Sequence, residues 1–492
     1  MGHTAGAFPN PVYAREILEV GFHEAQRLLF AHMQAANEAH ILMLVEQGII
    51  SEANGAALFR AFAEVDAAGA ASFTYDPSVE DLFFAVEGRV IATVGVEVGG
   101  NLQIARSRND LAAGMNRLFI RERSLRVQRA VTRFRATLLD LAEAHVRTIM
   151  PGITHTQPAQ PTTLAHYLLG VLGPLERDSA RLREGWARLN RSPLGVAAFT
   201  TTSFPIDRER TAQFLGFDGL VENGYDAVGT GDHMIEATQS LVTLVSGLSR
   251  FVYELLVWTR REVGVLRIAD EFIQISSIMP QKRNPVVLEH VRARIGYIYG
   301  DSATVATMIH SAAFGDTNDV EDQIFLPIAR AFDATISVLD LLGAALATAT
   351  FDVELLAARA GEGNTTATAV ADGLVQDFGL PFRSAHHVLS TLVSEGGEIN
   401  SERIAATATA IAGRAIAVDP AWAASKLDPW AFVNARTLPG GPAPVETSRA
   451  IDAARAQLAA DVAWIDAVED RIAAAYADRA QRIAATRASS RA

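Results

Sequence analysis

The sequence has no cysteine. Disulfides, thiolate metal sites and cysteine nucleophiles are therefore excluded, and the composition fits a reducing compartment. It also lacks any run of about 18 uninterrupted apolar residues, the length a membrane-spanning helix needs. The most apolar stretch, residues 237–258, is broken by Gln239, Ser240, Ser246, Ser249, Arg250 and Glu254. No membrane span is expected. The opening Met1-Gly2-His3-Thr4-Ala5-Gly6 has no basic stretch followed by an apolar run, so no signal peptide is read there. Positive charge is in deficit: 43 lysines and arginines against 56 acids leave a net charge of −13. Such a surface does not favour nucleic acid or anionic lipid as a partner. A site for an anionic substrate has to be locally basic against it. No fixed-period repeat and no low-complexity linker stands out. Together these absences describe a soluble, cytoplasmic protein.

What is present is helical. The 492 residues suffice for two to four domains, and half of them are apolar. Alanine and leucine are abundant and alternating β-branched runs are few. From Asp232 to Val263 the apolar residues Ile235, Leu241, Leu244, Val245, Leu248, Val252, Leu255 and Leu256 recur mostly three and four apart without a proline. That predicts one helix of about 30 residues, beyond the usual globular length. Residues 106–145 show a similar period, and 289–310 read as another helix behind Pro285. Long helices buried on most sides point to a bundle, in one chain or shared between subunits. The expected architecture is all-α in three parts: 1–105, a central bundle 106–355, and 356–492 with a turn-rich insert at 438–444.

Three polar segments interrupt this scaffold, and polar loops on a rigid frame are where function concentrates. The sharpest is Ser276-Ser277-Ile278-Met279-Pro280-Gln281-Lys282-Arg283-Asn284-Pro285. Taken residue by residue it reads as a helix connection with an incidental serine cap; as a string it is highly specific. The second runs from Gly152 to Pro161 and contains Thr154, His155 and Gln157. The third is Ala105-Arg106-Ser107-Arg108-Asn109-Asp110. Two guanidiniums, a hydroxyl and an amide at the head of a helix suit a dicarboxylate clamp, although alone they also read as a solvated basic helix start.

The first string resembles the signature loop of the fumarase/aspartase superfamily, with Ile275 where the family has glycine. The other two resemble segments of argininosuccinate lyase, and the resemblance spans roughly residues 39–450. It implies a carbon–nitrogen lyase that eliminates an amine from an N-substituted aspartate and releases fumarate. It makes Ser276 the general base and sets Lys282 and Asn284 on the carboxylate beside the carbon that loses its proton. His155 becomes the proton donor to the amine, with Glu289 as its partner. Arg106, Ser107, Arg108, Asn109, Thr154, Gln157, Ser277 and Met279 join Asn284 as substrate-binding residues. No metal, nucleotide or redox cofactor is needed, and no motif for one is present. The family also implies a homotetramer whose active sites each draw on three subunits. The chemistry suits these residues: proton removal beside a carboxylate builds a dianion that needs fixed positive charge and aimed donors.

The amine half departs from argininosuccinate lyase. Its Asp-Ile-x-Gly-Ser segment reads Met33-Gln34-Ala35-Ala36-Asn37 here, Val286 stands for an aspartate, and its Asp-Arg-Asp segment reads Thr230-Gly231-Asp232. A stretch with tyrosine, glutamine and lysine reads Gly315-Asp316-Thr317-Asn318-Asp319-Val320-Glu321-Asp322-Gln323. A guanidinium substrate needs several specific polar partners. The pattern favours an aminopolycarboxylate of the ethylenediamine-disuccinate or iminodisuccinate type. The alternatives are argininosuccinate itself and, on the same fold, a non-catalytic crystallin-like protein.

Overall fold

A computed structural model describes residues 8–489; the opening segment read for a signal peptide, residues 1–6, lies outside them. The N-terminal part packs α1 (Phe30–Glu46), α2 (Glu52–Ala68) and α3 (Leu82–Val94). Ser51 caps α2 and Asp81 caps α3, each accepting from a backbone N–H of the first turn.

The centre is a closed ring of five long helices. They are α4 (Arg108–Ala144), α5 (Leu164–Leu189), α6 (Asp232–Trp258), α7 (Val286–His310) and α8 (Phe325–Ala347). Each packs on the next and α8 closes back on α4. Their inner faces, among them Phe119, Phe134, Leu172, Leu244, Leu248, Ile295, Phe332 and Leu342, are almost wholly buried. Burying each such side chain contributes about 1.5–3 kcal/mol. Among the described residues α6 alone is long and apolar enough to cross a membrane; here its apolar stripe faces α5 and α7, as a core helix of the ring.

The periodicity of residues 106–145, 232–263 and 289–310 matches α4, α6 and α7, while it singled out neither α5 nor three small antiparallel pairs. β1 (Ile149–Thr154) pairs with β2 (Gln157–Thr163). β3 (Leu266–Arg267) pairs with β6 (Thr350–Phe351), and β4 (Gln274–Ile275) with β5 (Arg283–Asn284). They tie together the loops at the end of the ring where α4 finishes. There the His145 ring lies 5.2 Å from that of Phe351.

Residues 356–489 do two things. Val370, Leu374, Val388, Leu392, Ile404 and Ala408, with their neighbours up to Ala423, form an apolar cluster of their own. The last helix, α9 (Pro444–Ser489), then runs back along α4 and α2. A buried ionic group fixes it there. The Arg135 guanidinium of α4 donates to Asp461 Oδ2 at 2.5 Å and to Ser179 Oγ of α5 at 3.2 Å, and Arg183 reaches the other carboxylate oxygen at 2.8 Å.

Candidate active site

The serine string forms the loop between β4 and β5 and leads into α7. Its base is anchored by Arg283, which pairs with Asp270 and donates to the Ile268 carbonyl at 3.3 Å. At its head the Ser276 hydroxyl oxygen accepts the backbone N–H groups of Met279 (3.1 Å) and Ile278 (3.4 Å). Hydrogen bonds donated to an oxygen favour its charged form, so this geometry lowers the cost of a serine alkoxide. The Lys282 N–H closes the turn on the Met279 carbonyl at 2.9 Å, and the Ser277, Met279 and Lys282 side chains are exposed. Asn284 is half-buried opposite Gln274. Ile275, in the family's glycine position, sits in paired strand and points its side chain to solvent, 67% exposed. No left-handed backbone is demanded of it.

Thr154, His155 and Gln157 occupy the exposed tip of the β1–β2 hairpin. The loop is two residues long, His155 and Thr156, with φ of 50° and 67°. Mirror-image hairpin turns require positive φ at both positions and normally take asparagine and glycine. A β-branched threonine there is strained by about 1–2 kcal/mol, and strain at an exposed polar tip marks a functional position. Thr156→Gly is expected to raise the unfolding free energy by about 0.5–1 kcal/mol in urea denaturation; an unchanged or lower midpoint would show that the turn is relaxed. Glu289 lies exposed in the first turn of α7. Among the described residues no hydrogen bond or ion pair joins it to His155 within the chain.

The third segment caps α4. The Ser107 hydroxyl accepts the Asn109 N–H, and Asp110 accepts that of Ser107 at 3.0 Å, a capping box. Ala105 before it has φ of 61°. The two arginines do not project together as a clamp. Arg106 is turned inward, donating to Asn37 Oδ1 at 2.7 Å and to Gln103 Oε1 at 3.3 Å. It supports the loop from behind and does not face an open site. Arg108 is half-exposed and meets Asp81 at 2.9 Å and Glu80 at 3.2 Å. Burial and neighbouring acids raise the carboxyl groups of Glu321 and Asp322 close by, the latter to about 6. Glu321 and Asp322 fall in the 315–323 stretch already singled out, whereas Glu80 and Asp81 are not legible as partners because nothing in a segment 27 residues from Arg108 announces the contact.

The three segments do not meet within one chain. Phe351, paired with Leu266 in β3, lies beside His145, so the serine loop and the hairpin lie at the end of the ring where α4 finishes. Arg106–Asn109 lie where α4 starts. Thirty-seven residues of helix separate the two ends by about 55 Å.

A closed helical ring carrying these three segments belongs to one class of enzyme, the lyases of the fumarase/aspartase superfamily. The model of the lyase family matches residues 20–300, and that of the argininosuccinate lyase C-terminal domain matches 364–433. The argininosuccinate lyase of Methanoculleus marisnigri is 39% identical over 442 residues, covering 89% of each chain. That of Halobacterium salinarum is 40% identical over 432 residues, covering 87% of each. The crystal structure of EDDS lyase in complex with formate superposes with a TM-score of 0.87 at 31% identity, covering 100% of this chain and 98% of that one. The chain belongs to the argininosuccinate lyase-like branch of the superfamily, and it is a carbon–nitrogen lyase that forms fumarate.

Proposed function

We propose that the enzyme removes an amine other than arginine from an N-substituted aspartate, and that this substrate is an aminopolycarboxylate of the ethylenediamine-disuccinate or iminodisuccinate type. One observation carries the reading. The two stretches that depart most from argininosuccinate lyase, 230–232 and 315–323, line a single cavity of about 340 Å³. The same cavity is bounded by Ala112, Ala113 and Asn116 of α4. Ala112 and Ala113 lie three and four residues beyond Asn109 and hence on its face of the helix. Two of the four departures thus share one cavity next to the helix that carries Ser107, Arg108 and Asn109, while Met33–Asn37 and Val286 lie outside its lining.

In this mechanism Ser276, its alkoxide held by the N–H groups of residues 278 and 279, takes the proton from the carbon next to the distal carboxylate. Lys282 and Asn284 hold that carboxylate as it becomes a dianionic aci-carboxylate. Collapse breaks the carbon–nitrogen bond, and His155, oriented by Glu289, protonates the departing amine. Ser107, Arg108, Asn109, Thr154, Gln157, Ser277 and Met279 position the remaining polar groups. Because the segments lie a helix length apart, the site is assembled from several copies. We assign a homotetramer with each site shared by three subunits, working as a soluble cytoplasmic enzyme. The exposed tyrosines Tyr253, Tyr297 and Tyr299 on the outer face of α6 and α7 support burial of that face against another copy.

Argininosuccinate remains the second reading, favoured by the naming of relatives 39–40% identical. The test follows fumarate by ultraviolet absorbance, with argininosuccinate in one arm and fumarate plus a panel of amines and amino acids in the other. Addition of an aminopolycarboxylate-type amine without argininosuccinate cleavage is the expected result. Argininosuccinate turnover at a rate matching the relatives would overturn it.

A further inference from the structure

The β1–β2 hairpin that carries His155 has little stiffness of its own. Midway along it Pro151 faces Pro161, and neither can donate to the ladder. The register then shifts between Pro151 and Ile153, and a bulge of this kind bends a strand pair. Beyond the shift, among the described residues, the side chains of Thr154, His155, Thr156 and Gln157 make no hydrogen bond or ion pair. The place of the tip therefore depends on what holds the two strands.

The C-terminal part of the chain holds both. Ile149 of β1 packs with Ala360, Val433 and Trp430. On β2, Gln160 Nε2 donates to Thr368 Oγ1 at 3.0 Å, in the first turn of the helix Ala367–Phe378. This contact falls at the register shift, where a Cβ on Gly152 would lie 2.8 Å from the Gln160 carbonyl oxygen. At the foot of β2, His166 in the first turn of α5 joins two segments. Its Nδ1 lies 2.8 Å from Thr162 Oγ1, and its Nε2 lies 3.0 Å from the Gly440 carbonyl oxygen. A carbonyl only accepts, so Nε2 carries a hydrogen, and Nδ1 can pair with the hydroxyl in either charge state of the ring. The carbonyl belongs to a closely fitted turn. Gly440 has φ of 88° and donates its N–H to Glu446 Oε1 at 3.1 Å. Glu446 is buried and paired with Arg449 at 2.7 Å. A Cβ on Gly441 would come within 2.2 Å of the Arg436 carbonyl oxygen.

We propose that Gln160 and His166 are positioning residues for His155: they clamp β2 to Thr368 and to the 438–444 turn, so that the C-terminal part of the chain sets where the hairpin tip stands. The inference rests on the reading of His155 as the proton donor to the amine. The strand runs about 17 Å from Thr162 to Gln157, so a tilt of about 5° at its foot moves the tip by about 1.5 Å. A misplacement of about 1 Å can cost about 10²-fold in rate.

The test follows fumarate absorbance with the full-length enzyme. It uses argininosuccinate or fumarate plus the best amine of the panel, whichever the enzyme turns over, so the identity of the amine does not enter. Gln160→Ala and His166→Ala are each expected to lower kcat about tenfold or more. His166→Gln, which keeps a donor for the Gly440 carbonyl, should recover most of that loss. The deciding arm repeats both substitutions in His155→Ala. There each loss should shrink below about threefold, because residues that act through one another are not additive. Equal fold losses in the two backgrounds, or wild-type kcat in both single variants, overturn the clamp. Wild-type kcat in His155→Ala overturns the reading of His155 and the clamp with it, an outcome distinct from additive losses beside an impaired His155→Ala. If His166→Ala fails to fold, Gln160→Ala, whose side chain is exposed, carries the same comparison.

Discussion

Ser276→Ala is expected to lower kcat for fumarate formation by about 10³-fold or more, with KM changed little. A positioned general base supplies about 10²–10⁴ in rate, and loss of an interaction used only in the transition state appears in kcat. The fold should not respond. Ser276 lies on an accessible loop and, among the described residues, its hydroxyl bonds only to the N–H groups of residues 278 and 279; in the variant these turn to water at little cost. Steady-state kinetics with matched circular dichroism and thermal midpoints would check it. A Ser276→Ala enzyme within tenfold of wild type would remove Ser276 as the base and move the search to other groups on the loop.

The largest expected effect on stability is far from that loop. Asp461→Leu is expected to cost about 3–5 kcal/mol, the usual penalty for stripping a buried charge of its partner. Arg135 has a fully buried side chain, and Asp461 provides its short contact at 2.5 Å. Without Asp461 the guanidinium keeps Ser179 at 3.2 Å and Glu176 at 3.6 Å, neither of which replaces a close carboxylate. A loss of that size is a large share of the roughly 5–15 kcal/mol that holds a domain folded. The double variant Arg135→Met with Asp461→Leu should recover much of it, because no unpaired charge then remains inside. Urea denaturation of the single and double variants would decide the point. Additive losses in the double variant would show that packing, and not charge, holds α9 against α4 and α5.

Much of this molecule is written locally. The three- and four-residue spacing of Leu241, Leu244, Val245, Leu248 and Val252 predicts α6, and Pro285 marks the start of α7. The three polar strings announce the chemistry because acid–base and carboxylate-binding groups crowd a few residues at helix ends. Other features were not legible. Gly152 to Pro161 reads as a loop, since prolines at 158 and 161 argue against a strand; β2 tolerates them as one edge of an isolated two-stranded pair, where their missing N–H groups leave no second partner unpaired. A place for Arg106 behind Ser107, Arg108 and Asn109 is readable from the string, but its partner Asn37, 69 residues away, is not.

The sequence by itself determined the long helices, the superfamily and the residue types of the reaction, since periodicity and short strings record local chemistry. Only the tertiary structure decided which of those residues share a neighbourhood. It set the Ser276 oxygen on two backbone N–H groups, separated Arg106–Asn109 from the serine loop by the length of α4, and brought two of the departing stretches, 230–232 and 315–323, to one cavity. The physical reason is that contacts between distant segments follow from how whole helices pack, and packing depends on the summed burial of many side chains, which no single string encodes.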